Sequence, residues 1–302
     1  MVSDVILAGD LNIYRTDTVD GRMISYVINH IVNKDISKVA QGKSVVHIKA
    51  DELSKIHIRY PDKSEQDKII TFLGVLSNRI SKQRELVEKL KTYKRGALSV
   101  MFPQKGESVP KCRFASFSRN WEKRKLGEII EDYIERTTVE DQYPVLTTSQ
   151  HRGIVLQENY FSGERVSQNG NIGYFVIPRG YFAYRSRSDN DVFVFNRNDA
   201  VDVGIISYFY PVFKPNGVDS NFLVRRLNYG LKEQIKTNSE GTGQHVLSLK
   251  KFKNIVGLFP SLEEQKAIGD FFESIDHLIS LHQNKLDMLM KTKQSLLQQL
   301  FI

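Results

Sequence analysis

Residues 260–272 read Pro-Ser-Leu-Glu-Glu-Gln-Lys-Ala-Ile-Gly-Asp-Phe-Phe, and 199 positions earlier residues 61–73 read Pro-Asp-Lys-Ser-Glu-Gln-Asp-Lys-Ile-Ile-Thr-Phe-Leu. The two align without a gap, Pro61 on Pro260, Glu65 on Glu264, Gln66 on Gln265, Ile69 on Ile268 and Phe72 on Phe271. The match continues with Ile80 and Ser81 on Ile279 and Ser280, Lys94 on Lys293, and Phe102 on Phe301. Upstream it takes in Gly42 on Gly241, Asn29 on Asn228, Asp20 on Asp219, and Ile6-Leu7 on Ile205-Ile206. A repeat of this kind decides the architecture before any local signal does. Residues 1–102 therefore read as a divergent copy of residues 200–301, while residues 103–199 have no counterpart, so the first copy is expected to lack its front portion.

Each copy closes on a long helix. Asp62-x-x-Glu65 and Ser261-x-x-Glu264 are capping boxes directly after a proline, in which the first side chain accepts from the third residue's N–H. From there Ile69, Leu76, Leu90 and Ala97 share one seven-residue position, and Leu73, Ile80, Val87 and Met101 share another. Ile268, Ile275, Leu289 and Leu296 repeat the first set; Phe272, Ile279, Leu286 and Leu300 repeat the second. The spacing predicts two helices of roughly 38 residues, about 57 Å long at 1.5 Å per residue, with matching apolar seams that pack on each other. Both seams are interrupted at the same places, by Gln83 and His282 and by Lys94 and Lys293. Polar residues at such positions either fix the alignment of the pair or are tolerated defects.

Residues 120–255 have a different pattern. Residues 121–133 read as a short helix, and β-rich runs follow at 143–148, 172–177, 181–184, 192–195 and 205–213, broken by Gly, Asn and Pro. A second helix is expected over 221–236, then a glycine turn at 239–244. Polar and basic residues gather in the intervening loops: Thr147, Thr148, Ser149, Gln150, His151 and Arg152 in one, Arg179 in another, Arg185 and Arg187 in a third, and Thr242, Gln244 and His245 at the glycine turn. Arg presents a two-donor fork that matches guanine, Gln matches adenine, and Ser, Thr and Lys suit phosphates, so the set has the chemistry to read DNA. Any one of these residues taken alone is more often solvated surface or a turn element.

The 302 residues are 40% hydrophobic, enough for about two domains with real cores. The 43 Lys and Arg against 35 Asp and Glu leave a formal charge of +8, which suits a polyanionic partner. No run of eighteen apolar residues and no leader-like N-terminus is present, so a cytoplasmic protein without a membrane partner is expected. Cys112 is the single cysteine and the seven histidines are scattered, which predicts no disulfide, no metal and no cofactor. No glycine-rich nucleotide motif, Asn-Pro-Pro-Tyr box or GKS/GKT loop occurs. Glu264-Gln265-Lys266 ends like a nuclease motif, but no Pro-Asp precedes it at suitable spacing, and capping explains Asp62 and Glu65 better than catalysis. No catalytic residue is assigned.

The helix signature Pro-x-x-x-Glu-Gln in both copies, the glycine turn some twenty residues before the second, Trp121-Glu-Lys-Arg-Lys-Leu126-Gly127-Glu, and the ending Leu296-Leu-Gln-Gln-Leu-Phe301 together resemble the specificity subunit of type I restriction-modification systems across essentially the whole chain. The resemblance implies an α+β fold in which β-rich target recognition domains alternate with two long helices packed as an antiparallel coiled coil. On that pattern, residues 1–60 are the back portion of a first recognition domain, 61–102 a central helix, 103–255 a complete second recognition domain, and 256–302 a terminal helix. It implies a non-catalytic protein that binds double-stranded DNA at an interrupted sequence and docks methyltransferase subunits, with a restriction-translocase subunit joining them. The DNA-binding residues expected are Thr148, Ser149, Gln150, Arg152, Arg179, Arg185, Arg187, Thr242, Gln244 and His245, with Arg15, Lys43, Ser44 and His47 in the first copy. A full member carries two complete recognition domains, so a homodimer, which would read a palindromic site, or a separately encoded front half stand as further partners. A coiled-coil scaffold with incidental basic charge is the rival outside DNA recognition; it would show no salt-sensitive DNA binding.

Overall fold

Pro61 and Pro260 each precede a 39-residue helix. The computed structural model describes residues 16, 18–39, 50–104, 106–150, 152–161, 170–241 and 243–301. Among them, in chain order, are α1 (Gly21–His30), α2 (Asn33–Val39), α3 (Ala50–Leu53), α4 (Lys63–Met101), β1 (Glu122–Lys125), β2 (Ile130–Tyr133), β3 (Val145–Ser149), β4 (Gly153–Leu156), α5 (Gln157–Tyr160), β5 (Phe175–Pro178) and β6 (Phe182–Tyr184). There follow β7 (Arg187–Ser188), β8 (Phe195–Arg197), β9 (Val203–Ile206), β10 (Val212–Pro215), α6 (Ser220–Asn228), α7 (Lys232–Asn238), β11 (His245–Val246), α8 (Leu249–Lys253), β12 (Val256–Phe259) and α9 (Leu262–Leu300). The chain divides into two compact units, Met1–Lys89 with Ile279–Ile302, and Leu90–Leu278. Both long helices contribute to both units.

In the first unit, α1 packs Met23 and Val27 onto Ile70 and Leu73 of α4 and Leu297 and Phe301 at the end of α9. In the second, two four-stranded sheets, ordered β2-β10-β6-β8 and β4-β3-β9-β5, enclose Leu146, Ile154, Ile177, Ala183, Ile206 and Val212. Pairing is antiparallel except between β3 and β9. Phe195, Phe213 and Phe252 cluster around Tyr184, with ring centroids 4.7–5.4 Å apart where Tyr184, Phe195 and Phe213 meet Phe252. Buried rings such as these contribute the largest apolar areas of the core.

The 199-residue repeat is legible bond by bond. Asp20 and Asp219 each begin a helix, their carboxylates accepting from Arg22 N at 2.8 Å and Phe222 N at 2.7 Å. Their own N–H groups donate to the side-chain oxygens of Gln66 (3.3 Å) and Gln265 (3.0 Å), and those two amides donate to the carbonyls of Pro61 (2.8 Å) and Pro260 (2.9 Å). The glutamine of the Pro-x-x-x-Glu-Gln signature is thus a buried clamp joining a short helix to the start of a long one.

The long helices run antiparallel. In the first unit Gln83 Nε2 donates to the His282 carbonyl at 2.8 Å and lies 2.9 Å from its Nδ1, and Lys293 Nζ reaches Ser77 Oγ at 3.0 Å; in the second, Lys94 pairs with Asp276. All four polar seam residues therefore make bonds to the partner helix. The seam is not the strict heptad expected. Leu300 is 40% exposed while Leu297 is buried, and Ile70 is buried more deeply than Ile69. An α-helix drifts about 20° per heptad against a 3.5 repeat, and near these ends the apolar side must also meet α1.

Four local expectations need correction. Residues 121–133 are not a helix but β1, a 3-10 turn at Leu126–Glu128, and β2. The helix-favouring run Glu-Lys-Arg-Lys is overridden because its backbone pairs with β12, Glu122 opposite Phe259 through Lys125 opposite Val256. The helix read over 221–236 is two, α6 and α7, broken at Gly230, where φ is +83° and a Cβ would stand 2.4 Å from the Arg226 guanidinium. The run 205–213 is likewise two strands in different sheets, β9 and β10, with an exposed loop between them. The strand read at 192–195 falls at Phe195–Arg197, Val192 being held outside it by its N–H on Ser188 Oγ at 3.0 Å.

Candidate nucleic-acid interface

Strand β6 ends in the segment Arg185-Ser186-Arg187, and its position follows from three bonds. The Tyr184 hydroxyl donates to the Leu247 carbonyl at 2.9 Å, Leu247 N donates to Ser186 O at 2.9 Å, and β7 pairs with β11, Ser188 opposite His245 and Arg187 opposite Val246. Burial pushes the Tyr184 phenol far above its ordinary pKa, so it stays protonated and remains a donor. From the other sheet, β3 delivers Thr148, Ser149 and Gln150 to the same place. Asn196 on β8 joins the two sheets there, its amide donating to Thr148 Oγ1 at 2.8 Å and Ser149 O at 3.0 Å.

The result is an open cleft of about 350 Å³ whose walls include Thr148, Gln150, Arg185, Arg187, Asp189 and Asn190. Gln150, Arg185 and Arg187 are exposed, whereas Ser149 is buried and its hydroxyl accepts from Arg152 N at 3.3 Å. Arg152 stands over the Tyr160 ring at 6.0 Å, and Arg187 over the Phe209 ring at 5.1 Å. Tyr160, Tyr208 and Phe209 are each at least 40% exposed, so the basic residues alternate with open aromatic faces. Guanidinium forks, an amide and a hydroxyl beside flat rings can hydrogen-bond base edges, hold phosphates and stack on planar groups.

The glycine turn is bonded to the Asp189 side of the cleft. Glu240 and Val246 exchange backbone bonds of 3.0 and 2.7 Å, Gln244 Nε2 donates to Asp189 Oδ1 at 2.8 Å, and Asp191 pairs with Lys236 Nζ at 2.8 Å, with His245 Nδ1 2.8 Å from its other oxygen. The Lys236 ammonium, with His245 adding to it, holds the Asp191 carboxyl below its usual range. The His245 contact is attractive only with a proton on Nδ1. Gly241, at φ +126°, is what lets the turn close: a Cβ there would lie 2.0 Å from the Gln244 carbonyl oxygen. Gly241→Ala is expected to unseat Gln244 and His245 and to weaken duplex binding about tenfold, measured by fluorescence anisotropy; unchanged affinity would show that the turn takes no part in binding.

The matching family model, described as the type I restriction modification DNA specificity domain, covers residues 118–291, more than half of the chain and the whole of this cleft. The chain belongs to that family. As a type I specificity protein it is 23% identical over 294 residues to the type I restriction enzyme MjaVIII specificity subunit of Methanocaldococcus jannaschii, covering 85% of this chain. A second protein of that organism, provisionally named the MjaX specificity subunit, is 24% identical over 285 residues, 90% of this chain. The chain spans 64% and 65% of the length of these two curated relatives. In fold it is similar to the S subunit of a type I restriction-modification system from M. genitalium, with a TM-score of 0.59 and 17% identity over 94% of this chain and 73% of that one.

Of the residues the sequence nominated in this specificity domain, Thr148, Ser149, Gln150, Arg185 and Arg187 come together at the cleft, with Gln244 and His245 bonded to its Asp189–Asp191 side. Arg152 lies beside it on Tyr160. Arg179 does not join them. It precedes the opposite end of β6, where its side chain pairs with Asp202 at 2.9 Å and donates to Asp199 O at 2.7 Å. Arg15, Lys43, Ser44, His47, His151 and Thr242 lie outside the described residues. Sequence reasoning passed over Tyr160, Asn190, Tyr208 and Phe209. For the pair Tyr208-Phe209 a signal existed, two adjacent large aromatics of which a strand could bury only one, beside a serine and a proline-bounded break. Among the described residues no helix is long and apolar enough to cross a membrane.

Proposed function

We propose that this specificity protein reads duplex DNA through the Arg185–Arg187 cleft and directs methyltransferase and endonuclease subunits of a type I system to a target interrupted by unread bases, performing no chemistry itself. The observation that carries the reading is the duplicated clamp, Asp20–Gln66–Pro61 and Asp219–Gln265–Pro260, which gives the start of each long helix an equivalent mount. A duplicated mount suits a target in two parts. Base discrimination falls to Arg185, Arg187 and Gln150, whose exposed forked or paired donors match guanine and adenine edges, while Thr148 and Arg152 suit the backbone. A protein that acts by recognition needs partners for methyl transfer and cleavage, and the exposed sides of α4 and α9 are where they would dock.

Co-expression with the cognate methyltransferase subunit in a methylation-free host, followed by long-read mapping of modified adenines, tests the reading. Modification at an interrupted motif supports it, with unlike halves if one chain supplies both readers and a palindrome if two copies act together. Stable co-purification without any modification would overturn it.

A further inference from the structure

The clamp is not the only feature that occurs twice. Beside α4 and α9 each unit has a groove, and four positions of the two are equivalent: Lys94, Leu98, Tyr229 and Asp276 in the second unit, Lys293, Leu297, His30 and Ser77 in the first. In the second unit the Asp276 carboxylate bridges two cations, Lys94 and Arg225, the latter at 2.9 Å. In the first unit the acid has become Ser77 and the arginine Tyr26. Lys293 Nζ keeps its place, 3.0 Å from Ser77 Oγ and 6.0 Å from the Tyr26 ring centroid, while the Ser77 proton goes to Leu73 O at 2.7 Å. A second cation lines this groove from α4: Arg84, which donates to the Met290 thioether at 3.7 Å. A thioether is a weak acceptor and leaves most of the guanidinium's five donors for other groups.

The first groove, of about 500 Å³, is lined by two cations, Lys293 and Arg84, by the hydroxyl of Ser81 and by the amide of Gln294, and no carboxylate is among the described residues that line it. Where the equivalent groove carries its own anion, this one carries the donors for an anion and the space that the missing carboxylate would fill. We propose that Lys293 and Arg84 bind a phosphate group here, that of inorganic phosphate, of a phosphomonoester or of a nucleic-acid backbone. Forked and point-charge donors beside a hydroxyl are the usual recognition chemistry for that tetrahedral dianion or diester. The site stands apart from the cleft of the second unit and does not depend on the function proposed for it.

The test uses the full chain, titrated with sodium phosphate against chloride at constant ionic strength by calorimetry. Phosphate-specific binding is expected, weakened at least about tenfold by Lys293→Met. The sharper variant is Ser77→Asp, which installs the carboxylate of the other copy: it is expected to abolish phosphate binding while leaving the melting temperature in phosphate-free buffer unchanged or raised. Absence of phosphate-over-chloride binding, or binding indifferent to Ser77→Asp, overturns the proposal. A second arm with duplex DNA separates the sources. If the group is a backbone phosphate, Ser77→Asp weakens binding to every sequence alike and makes the slope of log affinity against log salt shallower by about 0.9. If DNA binding is untouched while phosphate binding is lost, the ligand is a free phosphate or phosphomonoester.

Discussion

Glu264→Gln is expected to lower the unfolding free energy of the Leu90–Leu278 unit by about 3 kcal/mol, because it breaks a buried ion pair on one side only. The Glu264 side chain is 2% exposed and that of Arg113 15%. Arg113 donates to both carboxylate oxygens, from Nε at 2.8 Å and from a terminal nitrogen at 2.6 Å, and Trp121 Nε1 donates to the first at 3.3 Å. The amide can still accept from Trp121 but leaves the guanidinium facing a neutral group, with the Arg119 carbonyl at 2.8 Å as its remaining partner. Removing both charges, in Arg113→Met with Glu264→Leu, is expected to be milder than either single change, since buried pairs are often replaceable by apolar side chains of similar size. Trp121 is the single tryptophan and touches the site, so its fluorescence in a urea titration reports this unit directly. A Glu264→Gln midpoint within experimental error of the parent would refute the argument. Glu264 was read as the far end of a capping box. It is capped from Ser261 Oγ, at 3.4 Å, but its carboxylate is turned to Arg113 and Trp121 instead of back to the cap.

The double change Arg185→Ala, Arg187→Ala is expected to weaken binding to the cognate duplex about 100-fold, with less effect on a scrambled duplex, each forked contact to a base contributing roughly 1–3 kcal/mol of discrimination. The two residues are neighbours on one segment, so their effects need not add. Arg187→Lys separates charge from shape. It keeps the positive charge and so the salt dependence, but loses the fork and the flat approach to Phe209. Relaxed sequence preference at an unchanged salt slope is the expected result, by anisotropy across a salt series. A uniform loss on all duplexes with a shallower slope would instead make these residues phosphate contacts.

The sequence alone determined the repeat, the two long helices and their partnership, because these rest on periodicity and on a gapless offset, which survive divergence in every other respect. Pro260-x-x-x-Glu264-Gln265 and Pro61-x-x-x-Glu65-Gln66 mark the helix starts within two residues of where they fall. Loop chemistry was legible too, in that Thr148, Gln150, Arg185 and Arg187 carry the donors wherever they stand. What only the tertiary structure decided was their convergence: β3 and β6 lie in different sheets, and the Asn196 amide that joins them there gives no pattern along the chain. The same holds for residues 122–125, whose helical preference of a few tenths of a kcal/mol per residue yields to the ladder with Val256–Phe259. It holds for the two grooves as well, since an offset of 199 aligns Ser77 with Asp276 but only the antiparallel packing sets each against a lysine of the opposite helix. Local preference is a sum over neighbours in sequence, whereas a site is a meeting of residues distant in it, and the packing energy that arranges such a meeting has no signature in either stretch read alone.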